Sequence, residues 1–222
     1  MRRAAILRRQ LDFRYLAIEG PPALGKTTLA KRLGASLDAA IVLEEGQNPF
    51  LADYQAGRPG AAFQAQLFFT LARHRQLMGL RQRDLFSQVT VCDYLFERDR
   101  IYAFMNLDDN ELFIYQRLFD LVGRDLAPPD VVIYLQTPTD LLTRRIRERA
   151  RSEDLDVVLP AEDEVPELNE AYNHFFFHYS ATPLLVVETS HVDLAWGDEA
   201  VDDLRRQLKA MGRGTQYYVP RP

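Results

Sequence analysis

Gly20-Pro21-Pro22-Ala23-Leu24-Gly25-Lys26-Thr27 reads G-x4-G-K-[ST] and follows the apolar run Tyr15-Leu16-Ala17-Ile18. A buried strand running into a glycine-bearing loop and then a helix is the setting a phosphate cradle requires. Glycines let backbone N–H groups close around anionic oxygens, and the following helix points its positive end at them. Leu29, Ala30 and Leu33 recur at helical spacing just beyond and supply that helix. The stretch Gly20–Thr28 is therefore expected to hold a nucleoside triphosphate. Lys26 would reach the β- and γ-phosphates, and the Thr27 hydroxyl would serve Mg²⁺.

Outward from this loop, four further apolar runs rich in β-branched residues read as strands buried on both faces: Ala40–Leu43, Val89–Cys92, Val131–Leu135 and Leu184–Val187. Helical patterns cover Thr27–Leu37, Gly60–Leu85, Arg98–Val122, Thr139–Arg151, Glu167–Tyr179 and Glu199–Met211. Asp108-Asp109-Asn110 is expected to break the third and cap its second piece. Strands alternating with helices predict an α/β fold, a five-stranded parallel sheet flanked by helices on both faces. Residues 1–14 read as a loose extension, 15–212 as one domain and 213–222 as a tail; no repeat or long linker divides the chain. Such sheets bind ligands at the carboxyl ends of their strands. There the sequence places the phosphate loop, then Glu44-Glu45, then Asp93-Tyr94, a proton acceptor and a metal partner in waiting.

The 222 residues suit one domain with a full core, and no apolar run approaches the roughly 20 residues of a membrane span. A net charge of −5 argues against a general nucleic-acid binder. Lys26, Lys31 and Lys209 are the only lysines, so nearly all positive charge is arginine, whose planar fork suits phosphate. Cys92 is the only cysteine, which excludes internal disulfides and points to a reducing cytoplasm. The segment Met1–Arg9 is basic and acid-free as transit peptides are, but it lacks their serine.

A phosphate loop alone leaves GTPase, ATPase and small-molecule kinase open. The N-K-x-D of GTPases is absent, and Val89-Thr90-Val91-Cys92-Asp93-Tyr94 ends in one acid where an ATPase motor would show two. Arg144, Arg145, Arg147, Arg149 and Arg151 crowd one helix end, followed by an acidic, proline-bearing stretch, Asp154–Pro166. As a plain solvated face, this cluster would rely on Glu148 and Glu153 for neutralisation. Beside a phosphate loop it reads as a mobile arginine lid that offsets charge on a transferring phosphoryl group.

With these features the chain resembles the deoxynucleoside kinase family, in particular its bacterial deoxyadenosine/deoxyguanosine kinase branch, from about Tyr15 to the last helix. Glu44-Glu45-Gly46-Gln47-Asn48-Pro49-Phe50 is similar to the family's Glu-containing segment before Asn-Pro-Phe. Phe63-Gln64-Ala65-Gln66 and Leu71-Ala72-Arg73 resemble its base-reading helix, and Asp93–Arg100 its segment after the third strand. Arg145–Glu153 is similar to its lid, and Leu168-Asn169-Glu170-Ala171-Tyr172 to the helix after it.

The resemblance implies transfer of the γ-phosphate of ATP to the 5′-hydroxyl of a deoxynucleoside by a cytoplasmic, Mg²⁺-dependent homodimer. The dimer would form through the helices around Gly60–Leu85 and Arg98–Val122. Glu44 would accept the hydroxyl proton, with Glu45 as competitor, and a carboxylate suffices because positioning matters more than basicity in a loose transition state. Gln66, with Gln64 as competitor, would pair with the base edge, since an amide offers donor and acceptor together. Arg73 and Asp99 would hold the outer base edge, as in kinases of deoxycytidine and the purine deoxynucleosides and unlike thymidine-preferring relatives. Tyr54 and Glu153 would hold the sugar 3′-hydroxyl. Asp93 would face Mg²⁺ or its waters, Arg145 the nucleotide, and Arg147, Arg149 and Arg151 the transferring group. Phe63, Phe68 and Phe96 are open as base-stacking or core residues.

The chain departs from the family at Asp93-Tyr94-Leu95, where many members carry an acid, Arg and Ser. Arg98, Arg100 or a lid arginine is left to supply the missing charge, and the acidic insert also differs. Rival readings are a thymidylate-type monophosphate kinase and a non-catalytic nucleotide-sensing subunit. The first leaves the Asn-Pro-Phe and Phe-Gln segments unexplained. The second leaves Lys26, Thr27, Glu44 and Asp93 without a purpose.

Overall fold

Six strands, one more than the apolar runs announce, hydrogen-bond in parallel in the order β2-β3-β1-β4-β5-β6. They are β1 (Tyr15–Glu19), β2 (Ala40–Val42), β3 (Thr90–Cys92), β4 (Val131–Gln136), β5 (Leu184–Glu188) and β6 (Thr215–Tyr218). The computed structural model describes residues 13–83, 89–151 and 159–220. The sixth strand corrects the five-stranded expectation: the segment read as a tail pairs along β5, Leu184 opposite Thr215 through Val187 opposite Tyr218.

The helices are α1 (Lys26–Leu37), α2 (Leu51–Gln55), α3 (Ala61–Arg83), α4 (Asp99–Asn106), α5 (Asp109–Gly123), α6 (Thr139–Ala150), α7 (Val165–Phe177) and α8 (Asp198–Ala210). The long third pattern does divide where Asp108 stands. Its side chain accepts from the Asn110 and Glu111 amides, and Glu111 reaches back to the Asp108 amide, a complete capping box. The helix α2 was not foreseen.

Strand side chains alternate between the two faces of the sheet. Leu16, Ile18, Val131, Ile133, Leu135, Leu185 and Val187 enter one core with residues of α1, α6 and α8. Ala17, Val132, Tyr134, Leu184 and Val186 enter another with α7. A third core joins β3 to α3, α4 and α5. Burial on both sides explains why β1, β4 and β5 read as unbroken apolar runs, whereas β2, at the sheet edge, exposes Ile41 and is not buried on both faces as its run suggests. It also fixes the carboxyl ends of β1, β2 and β3 side by side, where strand order turns back across β1. Among the described residues no helix is long and apolar enough to cross a membrane.

Candidate active site

The loop after β1 is shaped by two close approaches. A Cβ on Gly20 would lie 2.6 Å from the Leu135 carbonyl oxygen, and one on Gly25 would lie 2.9 Å from that of Leu194. Gly25 also adopts φ 72°, a left-handed conformation that glycine takes without strain. Lys26 opens α1 and donates from Nζ to the carbonyls of Gly20 (2.6 Å) and Pro21 (3.0 Å), folded across its own loop. Burial pushes its pKa down, and Glu19, 4.0 Å away, pulls it back up.

Asp93, at the end of β3, ties this loop to the neighbouring strand end. It accepts from the Thr27 hydroxyl at Oδ2 (2.6 Å) and from the Glu44 amide at Oδ1 (2.7 Å). Burial raises its pKa, opposed by the Thr27 hydrogen bond. Thr27 and Asp93 thus present hard oxygens at the mouth of the loop, the small donor set Mg²⁺ takes when phosphates and water complete its shell.

Glu44 lies under two guanidinium groups. Arg98 grips it with both forks, Nη1 to Oε2 (2.9 Å) and Nη2 to Oε1 (2.7 Å), and Arg73 adds Nη2 to Oε1. Burial alone would raise the carboxyl, but Arg98 and then Arg73 outweigh it and hold it down to about 2. Glu45 is exposed and occupied by Gln76 (3.1 Å), so of the two acids only Glu44 joins the cluster. Of the arginines open to replace the one absent at Tyr94, Arg98 is the one on Glu44. Arg100, two residues on, pairs outward with Asp120. Tyr94 is fully buried and donates to Gln76 Oε1 (2.8 Å).

The other fork of Arg73 holds Asp99 Oδ1, and both residues are buried. Asp99 also accepts from Thr70 (3.2 Å), which bonds the Tyr115 hydroxyl (2.8 Å). Gln66 is buried beside them and donates to the Asp99 carbonyl (3.0 Å), whereas Gln64 is exposed; helical spacing separates the two. Asn48 staples the preceding loop to α3 through the Ala65 carbonyl (2.8 Å). Phe96 stacks on Phe119 within the third core, and the partly buried Phe63 packs against the same core. Phe68 meets Phe50 edge-on.

Other expected residues stand apart. Tyr54 bonds Asn106 at the end of α4 (2.8 Å), outside the Glu44 cluster. Glu153 lies outside the described residues. In α6, Arg145 is anchored to the Thr189 carbonyl (2.7 Å) and hydroxyl (3.0 Å), beyond the end of β5. Arg147 is exposed and engaged by Glu162, with Nε to Oε2 at 3.1 Å, and Arg151 is exposed as well.

Sequence reading passed over Glu19. This fully buried carboxylate closes β1, accepting from the amides of Gly20 and Leu95, each at 2.8 Å. Arg98 stands 3.9 Å from it, so Arg98 lies between two acids. Burial raises Glu19, with Arg98 and Lys26 opposing. Its one signal was a charge ending an apolar run.

A model of the family described as deoxynucleoside kinase matches residues 16–211. The chain is 31% identical over 139 residues to a deoxyguanosine kinase of Bacillus subtilis (strain 168), covering 62% of this chain and 67% of that one. It is 29% identical over 178 residues to a deoxyadenosine kinase of Dictyostelium discoideum, covering 77% and 69%. Among solved structures, it matches deoxyadenosine kinase from M. mycoides with bound dATP at a TM-score of 0.69 and 25% identity, covering 87% of this chain and 98% of that one.

Proposed function

The chain belongs to the deoxynucleoside kinase family, and from that premise we infer that it moves the γ-phosphate of ATP to the 5′-hydroxyl of a deoxynucleoside in nucleotide salvage. One observation carries the assignment of roles: Asp93 holds Thr27 with one oxygen and the Glu44 amide with the other. Donor loop and acceptor carboxylate are thereby set by a single side chain, and fixed geometry is what phosphoryl transfer demands.

In this reading the 5′-oxygen attacks the γ-phosphorus, the bond to the bridging oxygen breaks, ADP leaves, and the hydroxyl proton passes to Glu44. Arg98 keeps the carboxylate aimed, and the loop amides of residues 20–28 with Lys26 cradle the phosphates. Thr27 and Asp93 would hold Mg²⁺, which when bound neutralises charge on the phosphates. Arg145, fixed beside Thr189, faces the donor nucleotide. Arg147, Arg149 and Arg151 close over the transferring group, for which Arg147 exchanges Glu162 for phosphate. Tyr54 and Glu153 hold the sugar.

Gln66, Arg73 and Asp99 read the base. Their buried donor and acceptor set supports adenine, guanine or cytosine over thymine, whose edge offers no amino group. Exposed Phe104, Phe113, Ile114 and Leu121 on α4 and α5 support a homodimer through these helices. The buried free thiol of Cys92 fits a reducing cytoplasm, and the net charge of −5 argues against nucleic acid.

The test is phosphorylation with Mg-ATP of the four deoxynucleosides and their monophosphates. Label on deoxyadenosine, deoxyguanosine or deoxycytidine is expected. Label on thymidine alone would overturn the base assignment, and label on monophosphates alone the acceptor assignment.

A further inference from the structure

Arg73 is bonded to both halves of the acceptor site. Nη1 holds Asp99, in the cluster with Gln66, Thr70 and Tyr115, while Nη2 holds Oε1 of Glu44. Its Nε is buried with no hydrogen-bond partner, so the guanidinium has donor capacity left where the base is to be read. Neither acid depends on it alone. Glu44 keeps both forks of Arg98, and Asp99 keeps Thr70.

We propose that Arg73 makes Glu44 a competent proton acceptor only when a nucleobase fills the pocket: a base that takes Arg73 draws the guanidinium off Glu44 toward Asp99. This rests on the kinase reading above and adds to it a coupling between base recognition and the reacting hydroxyl.

The physical ground is the crowding of Oε1, which already accepts from Arg98 and Arg73 together. Such an oxygen has little capacity left for a hydroxyl donor. Nucleobase edges carry acceptor atoms able to claim an Arg73 N–H. Once one guanidinium is withdrawn, Oε1 regains an acceptor position for the hydroxyl, while Arg98 still fixes its direction. A hydroxyl arriving without a base, whether on a bare sugar or as water, meets the doubly held carboxylate. The device thus favours intact nucleosides and spares ATP from hydrolysis. A merely bracing Arg73 would predict the reverse, because its removal would then slow every acceptor alike.

The experiment offers the full-length protein 1,2-dideoxyribose, a sugar with the reactive hydroxyl and no base. Products are the sugar 5-phosphate and ADP, the hydroxyl proton passing through Glu44 to solvent. Turnover is compared between the wild type, Arg73→Met, and Arg73→Met combined with Asp99→Asn, which avoids leaving a buried acid unpaired. Both variants free one of the two occupied acceptor positions on Oε1, so they are expected to turn over the bare sugar about tenfold faster than wild type. Their kcat/KM for deoxynucleosides should fall, and ATP hydrolysis without acceptor should rise. A variant-free arm adds free adenine, guanine or cytosine to wild type with the bare sugar, and turnover is expected to increase.

Unchanged or slower turnover of the bare sugar in folded variants overturns the coupling. So does absence of stimulation at base concentrations that inhibit nucleoside phosphorylation. If wild type phosphorylates no deoxynucleoside, the kinase reading itself falls, and the coupling with it.

Discussion

Two groups of arginines in this chain occupy opposite surroundings. The side chains of Arg73 and Arg98 are 5% and 11% exposed and lie among Glu19, Glu44 and Asp99. Arg147, near the end of α6, is 49% exposed, and its partner Glu162 is 57% exposed. In the interior, ionic attraction is weakly screened, and breaking a pair strands a charge away from water. In water the same attraction is offset by hydration, and a partner can be exchanged at little cost. A kinase needs both kinds of environment. The acceptor hydroxyl must meet a carboxylate whose direction is fixed, while the cover over the phosphates must open for ADP to leave.

The sharpest way to break this contrast is to remove Arg98. Arg98→Met leaves Glu19 and Glu44 without the cation between them, and it is expected to lower unfolding free energy by about 3–5 kcal/mol. Urea unfolding measures the loss. A change no larger than that for a lid arginine would mean the interior cluster is hydrated and the contrast false. Next in size is Glu44→Gln, which keeps the shape and the acceptor oxygen for Arg98 but removes the charge. Turnover should fall about 10²-fold or more while deoxynucleoside binding survives. An unchanged rate would show that Glu44 serves only the ion pairs around it.

The contrast also explains what the sequence could disclose. The phosphate loop is local: eight consecutive residues carry it, and the apolar runs of β1, β4 and β5 announce their strands without help. The cap at Asp108 is equally local. Glu19 is not, because Leu95, whose amide it accepts, lies far along the chain, and a charge after an apolar run reads simply as the strand's end. The sequence leaves Arg98, Arg100 or a lid arginine open as the group near the acceptor. Only the short turn at Phe96–Arg98, leading into α4, sends Arg98 inward and Arg100 out to Asp120. The strand β6 escaped notice for another reason. Thr215-Gln216-Tyr217-Tyr218 lies at the sheet edge, alternately exposed and half-buried, so it lacks the apolar run that marks strands buried on both faces. The lone turn of α2 is too short for any period to register.

Within the interior cluster, acid titration sharpens the comparison between two carboxylates. Glu44 is held at about 2 against an ordinary 4.5, so its stabilising contribution is complete above pH 4.5 and is lost as pH falls toward 2. Glu19 moves oppositely. Burial raises it, so the folded state binds a proton that the unfolded chain has released, and stability declines as pH rises from 4.5 through its folded value. Urea unfolding across acid to neutral pH should therefore give opposite signatures. The deficit of Glu44→Gln relative to wild type should shrink as pH falls below 4.5, while any gain from Glu19→Gln should appear only as pH rises above it. Parallel curves for the two variants would mean that Arg98 does not divide its charge between unlike sites.

The smallest effect is expected at the exposed Arg147–Glu162 pair of the proposed lid. Glu162 is exposed to solvent; its hydrogen bond raises the pKa of Arg147, and the same bond lowers that of Glu162. Because ions in water exchange partners readily, Glu162→Gln should leave the melting temperature unchanged and alter KM for ATP by no more than about twofold, downward if Arg147 is thereby freed for phosphate. Added salt should erase even that difference, since exposed pairs are screened within roughly 8–10 Å at ordinary ionic strength. The same salt should leave the Glu44→Gln defect intact, because its charges lie where ions do not enter. A marked loss of stability in Glu162→Gln would place the lid pair among the structural ion pairs. Arg147 would then need a conformational cost to reach phosphate, and the lid would be built on the same principle as the acceptor site.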